Sequence, residues 1–256
     1  MPGGNGIFHQ CTDQAGTILW VNNDIDNTIS IYDIVHLAAI KTIAIPADIT
    51  AAGGKPHDLT VTFDGKKVYI TCIGLDTGKG VLLEYDTATY ELTARRDDLQ
   101  ADPHVGSTWR NNKIYVAQQG GGGRVSVLSA EDLTTIKDIP VDSAHGVTMT
   151  SGFDEYMYVS DISIAADGQV GLYAIDYVSN ELVGSLTKGV PPTPHNIVGT
   201  GQHIFVTHSG PTANLVTQYA VSKDHPSPHL VNTVEVGLNP FGLDFVETTC
   251  ATSRII

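Results

Sequence analysis

Five histidines recur at nearly even intervals, and each opens a stretch in which polar and apolar residues alternate: His9, His57, His104, His145 and His195. Four of them stand in the phrases Lys55-Pro56-His57-Asp58, Asp102-Pro103-His104-Val105, Ser143-Ala144-His145-Gly146 and Thr193-Pro194-His195-Asn196, with Ile7-Phe8-His9-Gln10 as a looser copy. A sixth phrase, Asn239-Pro240-Phe241-Gly242, has phenylalanine in the place of histidine. Neutral imidazole is the commonest nitrogen donor to transition metals, and several converging imidazoles suit copper, iron, nickel or zinc. Taken singly, a histidine beside a turn needs only a hydrogen-bond partner. A cluster of them without an ion would repel when protonated and lose hydrogen bonds when buried.

The elements that would bring these side chains together follow from the spacing. Successive phrases are 48, 47, 41, 50 and 46 residues apart, which is the length of a propeller blade. Each repeat also has one internal grammar. In the second, His57 to Phe63 alternates as a half-buried strand, and Asp64-Gly65 signals a hairpin. Lys67 to Cys72 and Val81 to Asp86 are further strands, Thr87-Ala88-Thr89 turns the chain, and Tyr90 to Ala94 makes the fourth. The other repeats read alike, so the expectation is an all-β propeller of four-stranded blades, a single domain over residues 1–256. Five blades are written in full. Phe241 to Val246 reads as a sixth innermost strand with no blade behind it, which leaves six blades as the alternative.

The segments Lys67-Val68-Tyr69-Ile70-Thr71, Asn27-Thr28-Ile29-Ser30-Ile31-Tyr32-Asp33 and Asp86-Thr87-Ala88-Thr89 resemble the YVTN-type β-propeller repeat, and the likeness runs over essentially the whole chain. It implies the fold and leaves the activity open, because that repeat hosts many functions.

In a propeller the first strand of each blade lines the central channel. From each histidine to the aromatic residue of the second strand (Trp20, Tyr69, Tyr115, Tyr158, Phe205) the separation is 10 to 13 residues. The five histidines are therefore expected in one ring at one mouth of the channel. A second polar series ends the second strands: Asn23, Cys72, Gln118, Asp161 and His208. Asp161, or Asp58, would orient a ligating imidazole. Cys72 would add a soft ligand and favour copper, and His208 would add a ligand or move protons. Cys11, two residues past His9, is expected on the same channel-facing side. Gly120 to Gly123 is a loop and no phosphate cradle, since no Gly-Lys-Ser/Thr follows.

Histidines at blade starts around a hub are similar in placement to those that hold copper in nitrous oxide reductase and iron in carotenoid-cleavage oxygenases. Selenium-binding-protein-type methanethiol oxidases resemble the chain at the same level. Streptogramin B lyase, another histidine-bearing propeller, performs elimination. The leading expectation is a metal-dependent oxidoreductase acting on a small molecule, with copper favoured over iron, zinc or nickel. His9, His57, His104, His145, His195 and Cys72 would be ligands, and His208 and Asp161 catalytic. One rival is a lyase or hydrolase with a redox-silent ion or a free histidine, the other a non-catalytic scaffold or metal carrier.

Charge narrows the partners. Lys plus Arg number 14 against 28 Asp plus Glu, a formal charge of −14. That opposes phosphate backbones and anionic membranes, while a cationic or neutral partner is easily accommodated. No apolar run reaches the ~18 residues of a membrane span. The three cysteines, Cys11, Cys72 and Cys250, show no paired spacing. Met1-Pro2-Gly3-Gly4-Asn5 lacks the basic and apolar regions of a signal peptide. The expected location is the cytoplasm, or the periplasm or exterior if the sequence is a mature form.

Overall fold

In the computed structural model, residues 3–107, 112–120, 122–150, 155–162 and 170–244 are described. They form five four-stranded antiparallel sheets, each a run of consecutive strands. The first blade holds β1 (Ile7–Thr12), β2 (Ile18–Asn23), β3 (Thr28–Asp33) and β4 (Ala38–Ala44). The second holds β5 (Lys55–Val61), β6 (Lys67–Ile73), β7 (Gly80–Asp86) and β8 (Leu92–Leu99). The third holds β9 (Ala101–Ser107), β10 (Lys113–Gln119), β11 (Arg124–Ser129) and β12 (Thr135–Pro140). The fourth holds β13 (Ala144–Met149), β14 (Tyr156–Asp161), β15 (Gly171–Asp176) and β16 (Glu181–Leu186). The fifth holds β17 (Pro194–Thr200), β18 (His203–His208), β19 (Leu215–Ala220) and β20 (His229–Glu235). A short helix, α1 (Ala47–Ala51), joins the first two blades; no sequence signal marked it. The five-bladed propeller is thus the fold. Residues 163–169, and Cys250, lie outside the described residues.

The repeat grammar has a physical cause in the turn between the third and fourth strands. Asp86 accepts hydrogen bonds from the backbone N–H of Ala88 (2.9 Å) and Thr89 (2.8 Å). Asp33 does the same for Val35 and His36, and Asp176 for Val178 and Ser179. Such a carboxylate replaces a backbone acceptor and closes the turn locally. Each turn then ends in a residue with positive φ: Leu37, Tyr90 and Asn180.

Middle strands are buried on both faces, as in β6 and β7, and so read as nearly continuous apolar runs. Outermost strands such as β4 and β20 are exposed. Apolar side chains interdigitate between neighbouring blades in four clusters, joining the first blade to the second, the second to the third, the third to the fourth and the fourth to the fifth. Fully buried residues such as Ile70, Val116 and Val159 carry these seams, each contributing about 1.5–3 kcal/mol. Among the described residues no such cluster joins the fifth blade to the first.

The chain itself occupies that gap. The Val236 N–H donates to the Asn214 carbonyl and the Asn239 N–H to the Ala213 carbonyl. The Ser209 hydroxyl donates to the Pro240 carbonyl (3.0 Å), and Asn196 Nδ2 (2.7 Å) and the Thr207 hydroxyl (3.3 Å) donate to that of Phe241. The same kind of bond links complete blades: Asn22 Nδ2 donates to the His57 carbonyl and the Ser160 hydroxyl to the His195 carbonyl. Phe241 therefore stands where a sixth inner strand would begin, although residues 241–244 form no strand.

Candidate metal centre

The histidines reach the axis because of a bulge. In the second, fourth and fifth blades the inner strand pairs up to Pro56, Ala144 or Pro194, slips, and resumes at Leu59, Val147 or Ile197. His57, His145 and His195 are the first residues inside that irregularity. A bulge bends the strand and re-aims a side chain, here into the channel. In the first blade the slip lies between Ile7 and Gln10, so Phe8 holds the position of His57, and His9 comes one place later. The third blade slips earlier and pairs His104 directly with Ala117. The expected common register thus holds for three of the five histidines. Close approach of blades completes the arrangement: a Cβ on Gly146 would lie 2.8 Å from the His195 carbonyl.

All five imidazoles still converge. Ring centroids are 4.7 Å apart for His57–His104, 3.7 Å for His104–His145 and 4.0 Å for His145–His195. The circuit continues through His195–Phe241 (4.4 Å), Phe241–Phe8 (5.4 Å) and Phe8–His57 (5.3 Å). Six rings thus surround the axis, with His9 beside them at 5.2 Å from His57 and 5.8 Å from His104.

Two carboxylates organise this ring. Asp102 Oδ1 lies 3.1 Å from His57 Nε2 and 3.7 Å from His104 Nε2, and Asp102 Oδ2 lies 3.7 Å from His145 Nε2. Asp58 faces the opposite nitrogens, with His9 Nδ1 at 3.4 Å and His104 Nδ1 at 3.5 Å, and accepts the Val105 N–H at 2.9 Å. Asp58 was expected to orient a ligand. Asp102 was missed, although it is the one acidic residue that immediately precedes a Pro-His pair. It adopts φ 50°, a conformation that aspartate tolerates better than most residues.

Charge follows from this geometry. Burial alone would push the His104 imidazole down, but its bonds to Asp102 and Asp58 outweigh that and hold it up at about 9. Burial would likewise raise Asp58, yet His104, His9 and the Val105 amide bring it to about 2. Asp102 is held well below the usual carboxylate range, since bonds to His104 and His57 overcome its burial. Burial pushes His9 and His195 down to about 4 and His145 well below its ordinary value. Three of these buried nitrogens, His9 Nε2, His145 Nδ1 and His195 Nδ1, have no hydrogen-bond partner. Buried imidazole nitrogens without partners are costly in a finished polar network, and they fit a ring that could bind an ion. Two groups have ligand atoms within 4.8 Å of one another: His9, His57 and His104, and Asp102, His104 and His145. Either could hold a metal ion.

The remaining expected residues lie elsewhere. Cys72 packs in the apolar seam between the first two blades, and burial pushes its thiol up to about 12. Strand alternation explains this: Val68, Ile70 and Cys72 share the face of β6 that packs into that seam. His208 is satisfied inside the protein, with Nδ1 at 2.9 Å from the Pro192 carbonyl and Nε2 at 2.8 Å from the Thr217 hydroxyl. Asp161 is buried near Tyr173, outside both ligand groups. Below the ring opens a cleft of about 710 Å³, lined by Phe8, His9, Asp58, His104, Phe241 and Asp244 among others. Its size is in the range of small-molecule sites, ~300–1,000 Å³. Cys11 lines it too, as its side of β1 required.

No family model matches the chain, and no curated protein resembles it in sequence. Solved structures do share its shape. Hydrazine synthase of Kuenenia stuttgartiensis aligns with TM-score 0.71 at 15% identity, covering 91% of this chain and 76% of that one. A functionally unknown protein from Desulfotomaculum acetoxidans aligns with TM-score 0.75 at 12% identity, over 93% and 73%. The Cps50 (Swd1) β-propeller domain of Myceliophteria thermophila aligns with TM-score 0.69 at 10% identity, over 91% and 73%. At these identities the likeness is one of fold alone, a β-propeller.

Proposed function

We propose that the hub binds a redox-active transition-metal ion, copper before iron, and that the protein is a metal-dependent oxidoreductase acting on a small molecule. The observation that carries this reading is the convergence of His57 Nε2, His104 Nε2 and Asp102 Oδ1, at pairwise distances of 3.1, 3.1 and 3.7 Å, beside buried imidazole nitrogens without partners. These three residues would hold the ion, with His145 or His9 completing the set. Asp58 would fix the His104 ring from behind through Nδ1, as carboxylates do for ligating imidazoles. The bound metal would supply Lewis acidity or a redox couple. The nitrogen-rich donor set favours Cu²⁺ by the Irving–Williams order, without help from Cys72. The turn carboxylates Asp33, Asp86 and Asp176 support assignment to the YVTN-type repeats.

One observation favours a second reading. His9 lines the cleft with Nδ1 facing Asp58 and Nε2 without a partner, the arrangement of an oriented general base. That would suit a lyase or hydrolase with a redox-silent ion. Metal analysis of untagged protein by mass spectrometry, with EPR on the same sample, separates the two. About one copper or iron per chain supports the oxidoreductase. Zinc alone favours the lyase or hydrolase. A hub that refuses added Cu²⁺, Fe²⁺ and Zn²⁺ overturns both.

A further inference from the structure

We infer that the hub cleft takes an organic ammonium ion, seated against the phenyl rings of Phe8 and Phe241. This names the substrate class of the proposed metal enzyme and, as a statement about substrate, rests on that reading.

The six-ring circuit is divided by chemistry. His57, His104, His145 and His195 occupy one arc, and Phe8 and Phe241 are adjacent to each other in the remainder. Phenylalanine cannot ligate a metal, so this arc has another use. Both rings line the cleft, and they remain 41% and 37% exposed. Their centroids are 5.4 Å apart with planes tilted by 51°, so one cation can lie within ~6 Å of both, the reach of a cation–π contact. Phe241 is placed in advance, because Asn196 and Thr207 both donate to its carbonyl. A seat built before the ligand arrives loses less entropy on binding.

The charge of the cleft agrees. Among its described lining residues are the carboxylates Asp58 and Asp244, and neither lysine nor arginine. Apart from the metal itself, the one lining group held positive is His104, whose charge Asp58 and Asp102 already face, so a ligand carboxylate or phosphate finds no free cation among the described lining residues. An ammonium group is drawn in, and the whole-chain charge of −14 steers it from a distance.

Calorimetry of the full chain with benzylammonium, benzyl alcohol and benzoate tests the idea, with metal content measured on the same samples. Benzylammonium is expected to bind about fivefold or more tighter than benzyl alcohol, and benzoate weakest. Phe241→Leu and Phe8→Leu should each weaken benzylammonium about fivefold while changing benzyl alcohol far less, and Phe241→Tyr should retain binding. Asp244→Asn should weaken benzylammonium alone, and added salt should do the same. Benzoate binding as tightly as benzylammonium overturns the inference, as does equal loss of charged and neutral ligands in both leucine variants. Either result with metal still bound leaves the metal reading standing. A chain that prefers ammonium but takes no metal overturns the metal reading and keeps the ligand class.

Discussion

His57 and His104 face each other Nε2 to Nε2 at 3.1 Å, although they come from different blades. Two donors on a tetrahedral ion at ~2.0 Å would be about 3.3 Å apart, so little movement separates this geometry from a ligand pair. Because His104 belongs to both ligand groups, His104→Ala should leave the chain folded by circular dichroism yet unable to retain metal against a chelator. Asp58→Asn acts only from behind the ring and should weaken metal about 10–100-fold in the same competition. Equal affinity in wild type and His104→Ala would place the metal elsewhere.

The metal-free protein should be most stable near neutrality. His9 and His195 titrate at about 4 when folded against 6.5 ordinarily, so the unfolded chain takes up protons first as the pH falls. Their stabilising contribution is present above 6.5 and is lost between 6.5 and about 4. His104 has the opposite sign: its contribution is full below 6.5 and is lost as the pH rises towards about 9. Urea midpoints of metal-free protein should therefore be lower at about pH 5 and at about pH 9 than at about pH 7. A midpoint constant over that range would contradict the charge assignments.

Cys72→Ser separates a buried core thiol from a ligand. The hydroxyl would enter the apolar seam between the first two blades and cost about 1–3 kcal/mol, read as a lower melting temperature. Metal content should be unchanged. Metal loss without destabilisation would restore Cys72 as a ligand.

Gly146→Ala tests the close approach that brings His145 to His195. The new Cβ would meet the His195 carbonyl at 2.8 Å and Ile197 Cγ2 at 2.9 Å, so two inner strands must part. The variant should be both less stable and weaker in metal binding. A neutral effect on both would mean that the inner strands have slack.

Much of the architecture was legible because duplication writes it repeatedly. The turn carboxylates, the alternating inner strands and the Pro-His phrases each recur, and together they fix blade size and the side facing the axis. What was missed depends on single-residue register. His9 read as the partner of His57, but the bulge in β1 gives that place to Phe8. Cys72 and His208 were expected at the mouth, yet strand alternation turns Cys72 into the apolar seam between the first two blades, and His208 is bonded inside the fifth blade to Thr217 and the Pro192 carbonyl. Asp102 stood in plain view before Pro103-His104, and only its contacts with three imidazoles from three blades identify its role.

The ring is bound by four greasy seams and, between its last and first blades, by a latch at Phe241, whose carbonyl is held by Asn196 and Thr207 of the fifth blade and whose ring lies against Phe8 of the first. Each hydrogen bond in the latch contributes only about 1 kcal/mol, far less than an apolar seam. A split washer yields at its cut. Loss of those two bonds would loosen the contact of the fifth blade with Phe8 of the first without breaking any strand ladder. The residue proposed to seat the ligand is thus also the clasp of the ring.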